Sequence, residues 1–111
     1  MNVVFLQGRL SSDPVLRDLA SGSRLLSLEV TTTTDAGTAN VPVAWFDPPT
    51  LPDWAAGVDI VVHGQVKRRF YRGPSGTQSR TEVVATEVCE ATKRRQVQRL
   101  LAHAVDALGA S

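Results

Sequence analysis

The chain has 111 residues, and its 12 basic and 11 acidic side chains give a formal net charge of +1. This length suits one ordinary domain and is too short for two independent cores. Its apolar runs are far shorter than the roughly 18 residues of a membrane helix, and no signal-peptide core precedes Arg9, so we expect a cytoplasmic protein without a membrane partner.

Charge is distributed unevenly along the chain. Residues 1–62 contain three basic and seven acidic side chains, and residues 63–111 contain nine basic and four acidic ones, which gives net charges of −4 and +5. This asymmetry indicates a surface that faces a polyanion, although a solvated basic face would give the same count.

Alternating hydrophobicity predicts two half-buried strands near the N-terminus, "NVVFLQGRL" and "RLLSLEVTTTT". The apolar positions that share a face are Val4, Leu6 and Leu10 in the first segment and Leu26, Leu28 and Val30 in the second. Between them, "SSDPVLRDLASGS" predicts a short strand flanked by turns, because Asp-Pro and Ser-Gly punctuate it.

The middle of the chain is predicted to be a loop, "DAGTAN", followed by the strand "VPVAWF". In this strand Trp45 has inward parity and Phe46 outward parity, and Pro42 indicates a sheet edge or a missing hydrogen bond. The prolines of "DPPTLPDWAAGVD" exclude a long helix and leave room for one helical turn near Trp54. We expect both tryptophans to pack in the core.

The last part of the chain is predicted to form a hairpin and a helix. The strands "VDIVVHGQVKRRFYR" and "TQSRTEVVATEV" are joined by the turn "GPSG", and Cys89 is predicted to be a small buried hydrophobe. In "TKRRQVQRLLAHAVDALG" the period becomes helical, and Gly109 ends it. The predicted apolar stripe of this helix, which needs its own barrel or another subunit as a partner surface, consists of Val97, Leu101, Ala104 and Leu108.

The order of elements predicts an all-β fold. Five or six strands followed by one helix, with Gly8 and Gly64 where a sheet can bend sharply, are typical of a small closed β-barrel. The predicted organisation is a barrel domain over residues 1–90 and an amphipathic C-terminal helix over residues 91–111.

Cations and aromatic rings cluster in "VKRRFYRGPSG". A period of two places Lys67, Arg69 and Tyr71 in one outward row, and it places Arg68 and Phe70 on the inner parity near the barrel mouth. Cations about 7 Å apart beside an aromatic ring suit the phosphates and bases of a single strand. The alternative is a hairpin arm that is charged only to discourage edge pairing.

The motifs "MNVVFLQGRL", "DPVLR", "SGSRLLSLEV", "HGQVKRRFYRGPSG" and "RTEVVATEV" resemble, in order and spacing, the bacterial single-stranded DNA-binding protein family. The resemblance covers about residues 1–90. It implies an OB-fold five-stranded barrel that binds single-stranded DNA without sequence preference in replication, repair or recombination. It also implies a homo-oligomer, either a dimer or a tetramer.

The resemblance also implies roles for single residues. Tyr71 stands where the family has a stacking tryptophan, Phe46 stands at its stacking phenylalanine, and Lys67 and Arg69 stand at basic positions. The full set of predicted nucleic-acid-binding residues is Arg9, Thr31, Thr33, Phe46, Lys67, Arg69, Tyr71 and Arg72.

The sequence departs from the family in three ways. Two further stacking tryptophans have no counterpart, in "TTTTDAG" and at Asn40, which predicts binding weaker by several kcal/mol. The crossover helix is reduced to "DPPTLPDWAAG", and the sequence ends "VDALGAS". We therefore expect a divergent member without the acidic C-terminal tail that recruits replication proteins.

We expect no catalytic activity, metal or cofactor. His63 and His103 are far apart in the sequence without metal-ligand spacing around them, and neither a nucleophile elbow nor a phosphate-binding loop is present. The alternative function is a primosomal-type OB-fold protein-interaction module with weak DNA binding, which the missing tryptophans and tail would favour.

Overall fold

The structure is a computed structural model that describes residues 1–109, and in this range it contains six strands and one helix. Residues 110 and 111 of the predicted helical segment lie outside the described residues. The elements are β1 (Val4–Leu10), β2 (Val15–Asp18), β3 (Arg24–Thr34), β4 (Gly37–Phe46), β5 (Asp59–Gly73), β6 (Gly76–Glu90) and α1 (Arg94–Gly109).

Five of the strands close into a barrel. The order β1-β5-β6-β4-β3 is completed by pairing of β3 with β1, and β2 adds to β3 outside the ring. The β4–β6 contact is parallel and the other pairings are antiparallel. The prediction of an OB-fold five-stranded barrel with a C-terminal helix is confirmed.

The barrel interior contains the predicted apolar rows. Burial alternates along β3 as the sequence pattern requires, and Trp45 of β4 is only 6% exposed. Trp54, in the segment between β4 and β5, stacks on Trp45 with ring centroids 6.1 Å apart. Trp45 is therefore a core residue, and the partly buried Trp54 packs against the core. The buried residues of this core are Leu10, Leu26, Leu28, Val30, Val43, Trp45, Ile60, Val62, Val83 and Ala85.

The predicted loop at residues 35–40 is mostly strand. Gly37 pairs with Thr34, so only Asp35 and Ala36 connect β3 to β4. The positive φ of Gly37, 118°, supplies the left-handed conformation that such a tight turn requires. The prediction was wrong because the small polar residues of "DAGTAN" resemble a loop while their backbones pair with the threonine run of β3.

The two glycines expected at sharp bends lie at close backbone approaches. A Cβ atom at Gly64 would overlap the carbonyl oxygen of Val84, and one at Gly8 would overlap that of Thr31. A β-bulge between His63 and Gly64 accompanies the first approach. Both positions require glycine for the barrel to close.

Helix α1 packs on the outside of β5 and β6. Leu100 joins Val61 of β5 and Cys89 of β6 in a small apolar cluster, whereas Leu101 is 47% exposed. Of the two partner surfaces left open by the sequence, the helix contacts its own barrel, and Leu101 of the predicted stripe lies outside this contact. The helix is rotated so that Leu100 and Ala104 are buried.

No helix in the described part of the chain is long and apolar enough to span a membrane.

Candidate nucleic-acid interface

The β5–β6 hairpin extends beyond the barrel as an arm. β1 pairs with β5 only as far as Gly64, and from Gln65 to the turn β5 pairs with β6 alone. The turn consists of Pro74 and Ser75, which confirms the predicted "GPSG" connection. We call residues 65–82 the hairpin arm.

One face of the hairpin arm carries the predicted outward row. Residues directly opposite one another in an antiparallel pair project to the same side, and Lys67 opposes Glu82 while Arg69 opposes Arg80. Tyr71 opposes Gln78 in the same way. These three pairs define the groove face of the arm.

Arg69 is the centre of this face. Its guanidinium carbon lies 5.9 Å from the ring centroid of Phe46 and 5.9 Å from that of Tyr71. Its Nε atom donates a hydrogen bond to Oε1 of Glu82, whose side chain is only 3% exposed. Arg69 is therefore neutralised within the protein and contacts both predicted stacking rings, an arrangement different from the expected phosphate contact.

A groove of about 500 Å³ separates the groove face from β2 and β3. Tyr71 and Arg72 line it from the arm, and Arg17 and Leu25 line it from the opposite wall. The walls therefore combine an aromatic ring, apolar surface and cations with the carboxylates of Asp13 and Glu29.

Positive charge in the groove is partly compensated. Arg80 forms an ion pair with Glu29, with Nη2 and Oε1 2.8 Å apart, and Arg69 is paired with Glu82. Arg17 and Arg72 form no ion pair within residues 1–109, and neither does Lys67 on the same face of the arm. Around the groove, these three side chains are the cations available to an anionic ligand.

The remaining predicted residues form a second group. Arg9, Thr31 and Thr33 line a shallow polar depression where β1 meets β3. The hydroxyl of Thr31 lies 2.8 Å from Oδ1 of Asn40 and donates to it. Because alternate residues of β3 share a face, Thr31 continues the outer row that contains Glu29 of the groove. The fold thus divides the predicted site into the groove and this depression.

The sequence interpretation missed Arg80, Glu82 and Arg17. The first two could have been found, because counting backwards from the two-residue turn places Arg80 opposite Arg69 and Glu82 opposite Lys67. Arg17 lies on β2, whose position beside the groove depends on tertiary packing, and no local signal predicts it.

Arg68 and Phe70 do not lie at the barrel mouth. Phe70 is 67% exposed, and Arg68 is exposed as well. At these positions the hairpin extends beyond the barrel, so side chains predicted to face the barrel interior are exposed to solvent.

The two histidines, distant in the sequence, converge on one carboxylate. Nδ1 of His103 lies 2.7 Å from Oε2 of Glu87, and Nδ1 of the buried His63 lies 3.4 Å from the same atom. This contact links α1 to the barrel, which the sequence interpretation did not anticipate. The described residues contain no cluster of three or more His, Cys, Asp or Glu that could hold a metal ion.

The buried thiol of Cys89 lies close to this contact. Burial raises its pKa above the usual value, and the negative charges of Glu87 and Glu90 raise it further. Loss of the proton is therefore disfavoured, as expected for a packing residue.

No protein-family model matches the sequence, and no curated protein matches it either.

Proposed function

We propose that this protein binds single-stranded DNA without sequence preference, in the groove between the hairpin arm and the β2–β3 surface. The observation that carries the proposal is the placement of Arg69, whose guanidinium lies against Phe46 and Tyr71 in a groove that the unpaired Arg72 also lines. Aromatic stacking surfaces next to cations are the combination by which OB-folds hold a single strand.

Each part of the groove has a separate task in this proposal. Tyr71 is 39% exposed and offers its ring to a base. Lys67, Arg72 and Arg17 are the cations for the phosphates, and Arg69 holds the rings in position. A base has a π-face whatever its identity, so this mode of binding does not select sequence.

The proposal includes the wider role that the motifs suggest. It makes the chain a divergent member of the bacterial single-stranded DNA-binding protein family, cytoplasmic and non-enzymatic, without a metal or cofactor, that acts in replication, repair or recombination. It also includes a homo-oligomer, a dimer or a tetramer.

The test is equilibrium binding to a labelled dT oligomer and to a duplex of equal length, followed by fluorescence anisotropy. We expect the single strand to bind more tightly, because a duplex hides its base faces from Tyr71 and Phe46. Equal binding to both DNAs would indicate a general polyanion surface and contradict the proposal.

One observation favours a second function, a primosomal-type protein-interaction module with weak DNA binding. Two of the four groove arginines, Arg69 and Arg80, are already neutralised by carboxylates of the same chain. Weak binding to both DNAs in the same titration would favour this alternative.

A further inference from the structure

We propose that the hairpin arm also binds single-stranded nucleic acid on its opposite side. This reverse face is defined by Arg68, Phe70 and Arg72 with the β6 residues opposite them, and the inference rests on the proposed function. In this arrangement a strand leaves the groove at Arg72 and continues around the arm.

Phe70 presents an open stacking surface. Its side chain is 67% exposed, compared with 39% for Tyr71 and 42% for Phe5. Single exposed apolar side chains are common on protein surfaces. Exposure alone does not make Phe70 a base-stacking site, so the inference depends on the residues around its ring.

Those neighbours are cations and hydroxyls. Arg68 and Arg72 flank Phe70 at alternate positions of β5, about 7 Å away on either side. Across the hairpin, Arg68 opposes Thr81, Phe70 opposes Ser79 and Arg72 opposes Thr77.

The reverse face has a different charge balance from the groove face. Lys67 on the groove face opposes the carboxylate of Glu82, whereas all three partners on the reverse face are exposed hydroxyl residues. Arg68 and Arg72 form no ion pair within residues 1–109. Positive charge on the reverse face is therefore uncompensated.

This composition favours a nucleic acid over a protein as the occupant. An apolar protein surface placed on Phe70 would remove Arg68 and Arg72 from water without supplying counter-charges. A single strand instead places a base on the ring and phosphates beside the guanidinium groups, while the hydroxyls can bind the backbone.

Arg72 connects the two faces. Arg72 is two residues after Phe70 in β5 and so belongs to the same side of the hairpin, yet its side chain also lines the groove. It lies one residue before the end of β5 at the turn. Arg72 is therefore the residue at which a strand can pass from the groove face to the reverse face.

The test compares Phe70→Ala with the parent on dT oligomers of about 5 and about 16 nucleotides, chosen within the span that one OB-fold covers. We expect the short oligomer to occupy the groove and the long one to reach the reverse face as well. We expect unchanged affinity for the short oligomer and a roughly 5- to 150-fold loss for the long oligomer, the equivalent of one lost stack. Phe70→Leu should show the same loss, because it keeps apolar bulk without a ring.

Arg68→Ala provides an independent readout. It should lower the slope of log K against log salt by roughly 0.7 for the long oligomer and leave the short one unaffected. Val105→Ala is the matched control, since Val105 is 56% exposed and lies on α1 away from the arm. It should bind both oligomers like the parent.

Two results would overturn the inference while leaving the proposed function intact. One is parental affinity of Phe70→Ala for the long oligomer. The other is a smaller assembly of Phe70→Ala in light scattering, which would make the reverse face a protein contact. If the parent itself fails to bind either oligomer, the proposed function fails, and the inference that depends on it fails too.

Discussion

At the level of single residues, two neighbouring cations of the groove face have different surroundings. Arg69 is bound to the buried Glu82 and lies between Phe46 and Tyr71. Lys67, two positions earlier, is exposed and has no ion pair within residues 1–109. Only Lys67 is therefore free to form an ion pair with a DNA phosphate.

Lys67→Ala and Arg69→Ala should therefore differ in salt dependence. Lys67→Ala should lower the slope of log K against log salt by roughly 0.7, the effect of one lost phosphate contact on a single strand. Arg69→Ala should change this slope less and lower the affinity at every salt concentration, because it releases the two rings. Titrations at four salt concentrations measure both effects, and equal slope changes would show that Arg69 contacts phosphate after all.

Tyr71 should contribute through its ring and not through charge. Tyr71→Ala should weaken single-strand binding by roughly 1–3 kcal/mol and leave the salt slope unchanged. Tyr71→Phe is the matched control and should lose much less, because the ring remains. If Tyr71→Ala bound a dT oligomer as tightly as the parent, the basic arm would be only a solvated hairpin.

At the level of elements, the packing of α1 on the barrel buries one of two adjacent leucines and leaves the other exposed. Leu100 is 5% exposed and Leu101 is 47% exposed. Leu100→Ala should lower the free energy of unfolding by roughly 2–5 kcal/mol, and Leu101→Ala should change it by roughly 0.5 kcal/mol or less. Chemical denaturation of the two variants measures the difference, and equal losses would mean that the helix face is assigned wrongly.

The same two variants test whether Leu100 shields the thiol of Cys89 from solvent. The thiol packs against Leu100, and burial together with Glu87 and Glu90 raises its pKa. A raised pKa keeps the thiol protonated at neutral pH, so the folded parent should react slowly with a thiol reagent. Leu100→Ala should react faster and Leu101→Ala should not. Rapid labelling of the folded parent would contradict the packing described for α1.

Much of the fold could be predicted because its signals are local. Period-two burial on β3, the turn "GPSG" and the close approach at Gly64 each depend on a few neighbouring residues. The face of α1 could not be fixed in this way, because Leu100 and Leu101 both fit a helical period. The choice between them depends on the barrel surface below.

The candidate site was predictable in part for the same reason. Alternation placed Lys67, Arg69 and Tyr71 on one face, as the structure has them. It could not show that Arg69 is neutralised, because this depends on the cross-strand Glu82. It also placed Phe70 at the barrel mouth, because sequence alternation does not indicate where a hairpin leaves the barrel.

At the level of the whole molecule, the structure shows where the basic part of the sequence lies. The basic second part of the chain forms the hairpin arm and the start of α1. Glu29 and Glu82 neutralise two of the arm's cations, so the remaining positive charge of the arm comes from Lys67, Arg68 and Arg72. The field of these charges steers an anionic strand towards the arm, and salt screens it.

The most direct test of the central claim, that the groove is where single-stranded DNA binds, is a backbone amide NMR titration of the protein with a short dT oligomer. We expect the largest chemical-shift changes at Phe46, Tyr71 and Arg72, and little change along the exposed side of α1 at Leu101 and Val105. Changes confined to α1, with the groove resonances unmoved, would contradict the account.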